Sequence, residues 1–167
     1  MTQGCNIIYH PIFSRVLARL SEASLAETRP FRQEVVAGLS GRVIEVGAGT
    51  GINFAFYPAS VTEVVAVEPE PYLRSLAVQA ARTAPVPVVV TGGVAEELPA
   101  EDSSFDVGVV SLVLCSVHDP ARALSELFRL LSVSRRDGLL SSVYPPERII
   151  HYFWRRYYDR SNSVRSA

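Results

Sequence analysis

Glu45-Val46-Gly47-Ala48-Gly49-Thr50-Gly51 sets an acid two residues ahead of three glycines at alternate positions. Val43, Ile44 and Val46 form a short β-rich run that stops in those glycines, which is how open α/β sheets enter a nucleotide-type site. Lacking a Cβ, glycine turns tightly and lets a ligand reach the backbone. A helix that follows aims its free N–H groups at that ligand. The plain alternative is a strand, a turn and a helix with glycines used only for turning. Glu68 closes a second apolar run, where a doubly wound sheet places an acid that accepts ribose hydroxyls. Pro69 follows it, so capping of the next helix is the competing reading. His118 is a candidate general base or an ordinary loop residue. Cys115 lies within an apolar run, where a thiol stays protonated and inert.

Other chemistries are excluded by residue type. A dinucleotide fingerprint requires a third small residue where Ile52 stands. A phosphate-cradling loop ends in G-K-[ST], and all 16 basic residues here are arginine, which also removes Schiff-base chemistry. Cys5 and Cys115 suggest no disulfide framework and no metal site. With a net charge of −1 there is no basic field for nucleic acid. No apolar run approaches the ~20 residues of a membrane span. The first residues show no basic region leading into an apolar stretch, so no signal peptide is expected and a reducing cytoplasm is the expected compartment.

These residues need a scaffold, and 167 residues with 48% apolar content can bury one core. Pro11 opens a helix with Ile12, Phe13, Val16, Leu17 and Leu20 on one face, to about Ser21. A second helix is expected from Thr28 to Ala37, ended by Gly38 or Gly41. Strands are expected at Arg42–Val46, Thr62–Val67, Val88–Val90 and Val107–Val110, the third near an edge because Pro85 and Pro87 precede it. Ile52 to Tyr57 reads as a short helix stopped by Pro58. Pro71 to Arg82 covers the sheet. Asp119 caps a helix whose first residue is Pro120 and whose packed face is Ala121, Leu124, Leu127, Phe128 and Leu131. Leu139–Tyr144 reads as a fifth strand after the Asp137-Gly138 turn. The expected fold is α/β, a Rossmann-like, doubly wound, mostly parallel sheet with helices on both faces. One domain is expected over 1–167, with cap helices in 1–40, the core sheet in 41–144 and a helical tail in 145–167.

The stretches H-P-I-F-x-R, L-S-G-R-V-I-E-V-G-A-G-T-G-x-N-F, V-V-A-V-E-P-E-P-Y-L-R and S-L-V-L-C-S-V-H-D-P resemble class I S-adenosylmethionine-dependent methyltransferases of the bacterial type 11 group. They are also similar to animal methyltransferase-like proteins that methylate alkyl thiols. The resemblance covers about residues 7–131. It implies S-adenosylmethionine as cofactor and a small, lipophilic methyl acceptor. It implies Glu45 near the methionine ammonium, directly or through water, with Gly47, Ala48, Gly49 and Gly51 making room. It implies Glu68 at the ribose, Pro69 among the cofactor-binding residues, Ala95 and Glu96 flanking the adenine, and Leu112 and Val113 at the methyl-transfer end. Val94 stands where the family often has an aspartate, and Glu96 reads equally as an acid at a helix start. Helices ahead of the glycine loop cap the substrate pocket in that family, which makes Tyr9 and His10 polar candidates beside their reading as surface residues.

After Leu131 the chain departs from the family. Ser132-Val133-Ser134-Arg135-Arg136 replaces a proline-glycine-glycine turn, and no sixth and seventh strands are evident, so the closing C-terminal β-hairpin is expected to be missing. Strand five is then an exposed edge. A truncated or frame-shifted tail, a natural minimal form, and an edge covered by a partner chain all account for this. His151-Tyr152-Phe153-Trp154-Arg155-Arg156-Tyr157-Tyr158 has the residue types of a homodimer contact. Two other functions compete: a degenerate cofactor-binding or interaction protein without turnover, and a nicotinamide-dependent reductase.

Overall fold

The computed structural model describes residues 11–23, 25–111, 113–114, 116–132 and 139–142. Five strands form one sheet: β1 Gly41–Val46, β2 Val61–Val67, β3 Val88–Thr91, β4 Val107–Ser111 and β5 Leu139–Ser142. Their order is β3-β2-β1-β4-β5 and every pairing is parallel. The chain steps outward from β1 to β3, then returns to lay β4 on the other side of β1. That reversal opens a crevice beyond the carboxyl ends of β1 and β4, where doubly wound sheets bind ligands.

Parallel strands are covered on both faces, so they read as continuous apolar runs. On β1, Val43 points into a core built with Val36, Phe54, Tyr57, Val64 and Ala77. Ile44 and Val46 point into a second core with Val67, Phe105, Leu124, Leu127 and Leu130. The first core lies under α2 (Leu25–Val36), a 3-10 turn (Ile52–Phe56) and α3 (Pro71–Ala81), and the second under α4 (Pro120–Leu130). The remaining helix, α1 (Pro11–Ala23), packs on α3.

Helix starts follow local chemistry. Asp119 Oδ1 accepts the N–H groups of Ala121 and Arg122 at 3.1 and 3.0 Å, and Pro120 takes the first position of α4. Glu70 caps α3 in the same way, its Oε2 accepting the Leu73 N–H at 2.7 Å. The sequence placed the start of α2 at Thr28, whereas the helix begins at Leu25. Thr28 does not cap: its Oγ1 accepts the Arg32 Nε–H one turn on, at 3.1 Å. Pro30 sits inside this helix, where it removes one backbone donor. The residues after β1 form a 3-10 turn, and Tyr57, ahead of Pro58, is extended. Among the described residues β5 pairs only with β4. The expected turn at Asp137-Gly138, the end of strand five, the missing hairpin and the aromatic tail lie outside the described residues, as do Tyr9, His10 and Cys115.

Candidate functional site

The crevice is built by three tips. The loop leaving β1 leans on the end of β2, with the Gly47 and Ala48 N–H groups both donating to Val67 O at 2.8 and 3.2 Å. Gly47 has φ 71, and a Cβ on it would run into the side chain of Val113 beyond β4. Only glycine lets these two chain segments meet. Gly49, at φ 57, differs: nothing lies within 4 Å of where its Cβ would stand. That open side belongs to a loop whose backbone is otherwise engaged, since the Gly51 N–H donates to Ala48 O at 2.9 Å.

Glu68 lies at the tip of β2, 5% exposed. Its Oε2 accepts the Gly49 N–H at 2.8 Å and its Oε1 accepts the Glu70 N–H at 3.0 Å. Burial raises its pKa above the ordinary carboxylate value, against the two backbone donors; the neighbouring Glu70 charge adds to the rise and Arg74 opposes it. Each oxygen retains a lone pair for a ligand donor. Pro69 is half-buried, and its carbonyl accepts the Arg74 guanidinium at 3.0 Å.

Glu45 is spent differently. It is 1% exposed, with Oε1 accepting Asn53 Nδ2–H at 2.6 Å and Oε2 accepting the Tyr57 hydroxyl at 2.8 Å. Arg32 Nη1 donates to Asn53 Oδ1 at 2.8 Å, so the network ties α2 to β1 through the 3-10 turn. Burial lifts the Glu45 pKa to about 7, opposed by the Tyr57 and Asn53 hydrogen bonds and the Arg32 charge. The Tyr57 hydroxyl is pushed well above its ordinary value by burial and by Glu45. Sequence reasoning missed Arg32, Asn53 and Tyr57. The available signal was Asn53 and Tyr57 four residues apart in an otherwise apolar segment.

Ala95 is buried with Val46, Val67 and Leu98, which brings the 94–98 segment against the end of β2. Glu96 does not start a helix of its own; its Oε1 accepts the N–H groups of His118 and Asp119 at 2.8 and 3.1 Å. Arg122 Nε returns a bond to Glu96 O at 3.0 Å, so the 94–98 segment is tied to the start of α4. His118 is exposed. Leu112 lies outside the described residues. Among the described residues no cluster of three or more His, Cys, Asp or Glu is placed to hold a metal ion, and no helix is long and apolar enough to cross a membrane.

Residues 44–140 match the methyltransferase domain family. The chain belongs to that family. This methyltransferase domain is 36% identical over 142 residues to the mouse thiol S-methyltransferase TMT1B, covering 79% of this chain and 56% of that protein. It is 34% identical over 130 residues to the human thiol S-methyltransferase TMT1A, covering 74% and 52%. It therefore spans about half the length of the curated relatives it matches. A solved S-adenosylmethionine-dependent methyltransferase from Thermotoga maritima superposes with a TM-score of 0.58 at 31% identity, covering 72% of this chain and 56% of that one. One from Methanococcus maripaludis, at 18% identity and a TM-score of 0.64, shares the fold. Family and fold identify a class I methyltransferase domain, and the solved relative from Thermotoga maritima is named as dependent on S-adenosylmethionine.

The residues fit that cofactor at its nucleoside end. Glu68 offers spare lone pairs at the strand tip, Gly49 leaves open space, and Glu70 Oε1 is buried without a hydrogen-bond partner among the described residues. The methionine-end role expected of Glu45 meets a carboxylate already holding two donors, each oxygen keeping one lone pair.

Proposed function

We propose that this chain transfers a methyl group from S-adenosylmethionine to a small, lipophilic acceptor, with alkyl thiols as the first class to test. The observation that carries the reading is the Glu68 carboxylate seated on the Gly49 N–H, at the crevice of a chain in the methyltransferase family. In this reading Glu68, with Pro69 beside it, holds the ribose, Ala95 and Glu96 flank the adenine, and Gly49 leaves room for the cofactor, while Gly47, Ala48 and Gly51 seat the loop against Val113, the core and Phe54. Glu45 acts on the methionine end through water and through the network that seats the loop. Val113 lines the acceptor side. The relatives named as thiol S-methyltransferases support the thiol.

The sulfonium supplies an electrophilic methyl group, so the protein's work is alignment and exclusion of water. Bound there, the cofactor would give up its methyl group to the acceptor sulfur, and the acceptor's proton would leave to solvent or to His118. The thiolate, not the thiol, is the nucleophile, so the acceptor must lose its proton before or during transfer. Two widely separated cysteines and no metal-ligand spacing support a reducing, cytoplasmic setting.

The test is calorimetric titration with S-adenosylhomocysteine beside Glu68→Ala, followed by methyl transfer to a panel of alkyl thiols and phenols. Saturable binding, weakened at least tenfold in the variant, and turnover of a thiol are expected. A folded protein that binds no S-adenosylhomocysteine overturns the reading. Binding with no turnover across the panel supports the second reading, a cofactor-binding interaction protein, which Val94 and the departure after Leu131 favour.

A further inference from the structure

Among the described residues, Glu70 beside the tip of β2 carries a buried side-chain oxygen with no hydrogen-bond donor on it. The residue is 8% exposed, and its Oε1 has no hydrogen-bond partner. Its other oxygen holds the Leu73 N–H at 2.7 Å, so the carboxylate is fixed by the start of α3 and cannot swing out to water without giving up the cap. Buried polar atoms are almost always paired, and an exception calls for a partner. A carboxylate oxygen accepts and does not donate when ionised, so the missing partner is a donor.

The position narrows what that donor is. The Glu70 N–H itself donates to Glu68 Oε1 at 3.0 Å, so the two acids share one turn of chain at the tip of β2. Both Glu68 oxygens already carry a backbone N–H, from Gly49 and from Glu70. A neutral molecule with two adjacent hydroxyl donors can serve two acidic side chains at once without adding a like charge. We propose that Glu70 Oε1 accepts a hydrogen bond from a ribose hydroxyl of the bound nucleoside, so that the ribose is held by a pair of carboxylates rather than by Glu68 alone. This rests on the cofactor reading above. Glu70 thereby has two separable roles, a helix cap through Oε2 and a ligand acceptor through Oε1.

Calorimetry on the full chain separates them. The variants are Glu70→Gln, whose amide oxygen keeps the cap while its NH2 replaces the free acceptor, and Glu70→Ser, which caps by its hydroxyl and leaves nothing at the Oε1 position. The probes are S-adenosylhomocysteine and its 2′-deoxy and 3′-deoxy analogues. Both variants are expected to melt within a few degrees of the parent. Each should bind S-adenosylhomocysteine about tenfold more weakly, yet bind one of the two deoxy analogues within twofold of the parent's affinity for it. Unchanged affinity for S-adenosylhomocysteine, or an equal loss on all three probes, overturns the ribose contact while leaving the cofactor reading intact. Absence of binding in the parent overturns the cofactor reading itself.

Discussion

The Glu68 carboxylate accepts the Gly49 backbone N–H at 2.8 Å, joining the tip of β2 to the loop that leaves β1. One acid thus shapes the loop and faces the crevice. Glu68→Gln keeps an acceptor for Gly49 but presents an amide donor elsewhere, whereas Glu68→Ala removes both acceptors. Affinity for S-adenosylhomocysteine should fall in the order parent, Glu68→Gln, Glu68→Ala. The last step should reach tenfold or more, about 1.4 kcal/mol, by calorimetry. Equal affinity in all three would detach Glu68 from ligand binding.

Gly47 and Val113 form the second contact that shapes the crevice. Gly47→Ala places a methyl group into the Val113 side chain at a positive φ, and is expected to cost about 2 kcal/mol of stability. Val113→Ala in the same chain removes the collision but not the backbone strain, so it should recover part of the loss. Urea denaturation of the two single variants and the double variant reads the coupling. Strict additivity would mean the two residues do not meet.

Glu45 makes stability depend on pH. Its folded-state pKa of about 7 lies above the ordinary value of 4.5. Between those values the folded state holds a proton that the unfolded chain has released. The contribution is therefore complete below pH 4.5 and is lost as pH rises to about 7, by roughly 3 kcal/mol at ~1.4 kcal/mol per unit. Above that window it is constant. Glu45→Gln keeps an acceptor for Asn53 and should flatten this part of the stability profile, measured by denaturant titration from pH 4.5 to 8. A Glu45→Gln profile with the parent's slope across that window would falsify this assignment.

Glu96 is expected to order the loop before α4. Its carboxylate holds the His118 and Asp119 N–H groups, while Asp119 keeps its own capping bonds. Glu96→Ala should raise amide exchange at residues 116–119 by tenfold or more and leave exchange in the middle of α4 unchanged. Exchange rising along the whole helix would show that Glu96 supports α4 rather than the loop.

The order of elements was legible in the chain because its signals are local. Alternating glycines after Val46, proline at the first turn of α3 and α4, and Asp119 ahead of Pro120 each act within a few residues. Valine-rich runs covered on both faces mark parallel strands whatever their partners. Glu68 stood out because it follows such a run at the spacing of one βα unit. The start of α2 differs from the expected Thr28 by three residues, since the helix begins at Leu25 and the Thr28 hydroxyl serves Arg32 within it.

The tertiary structure alone decided which groups meet across the sequence. Nothing in residues 92–99 announces that Glu96 reaches His118 and Asp119, because that contact exists only once β4 returns beside β1. The Arg32–Asn53–Glu45–Tyr57 network requires α2 to lie over the 3-10 turn, and the Gly47–Val113 approach requires parallel strands in register. Nothing in the sequence singled out Glu70; only its burial shows an oxygen without a partner among the described residues. Local propensity acts through neighbours in the chain, so a sequence carries it. Burial and hydrogen-bond partnership act through neighbours in space, and for these residues the sheet order supplies the neighbours.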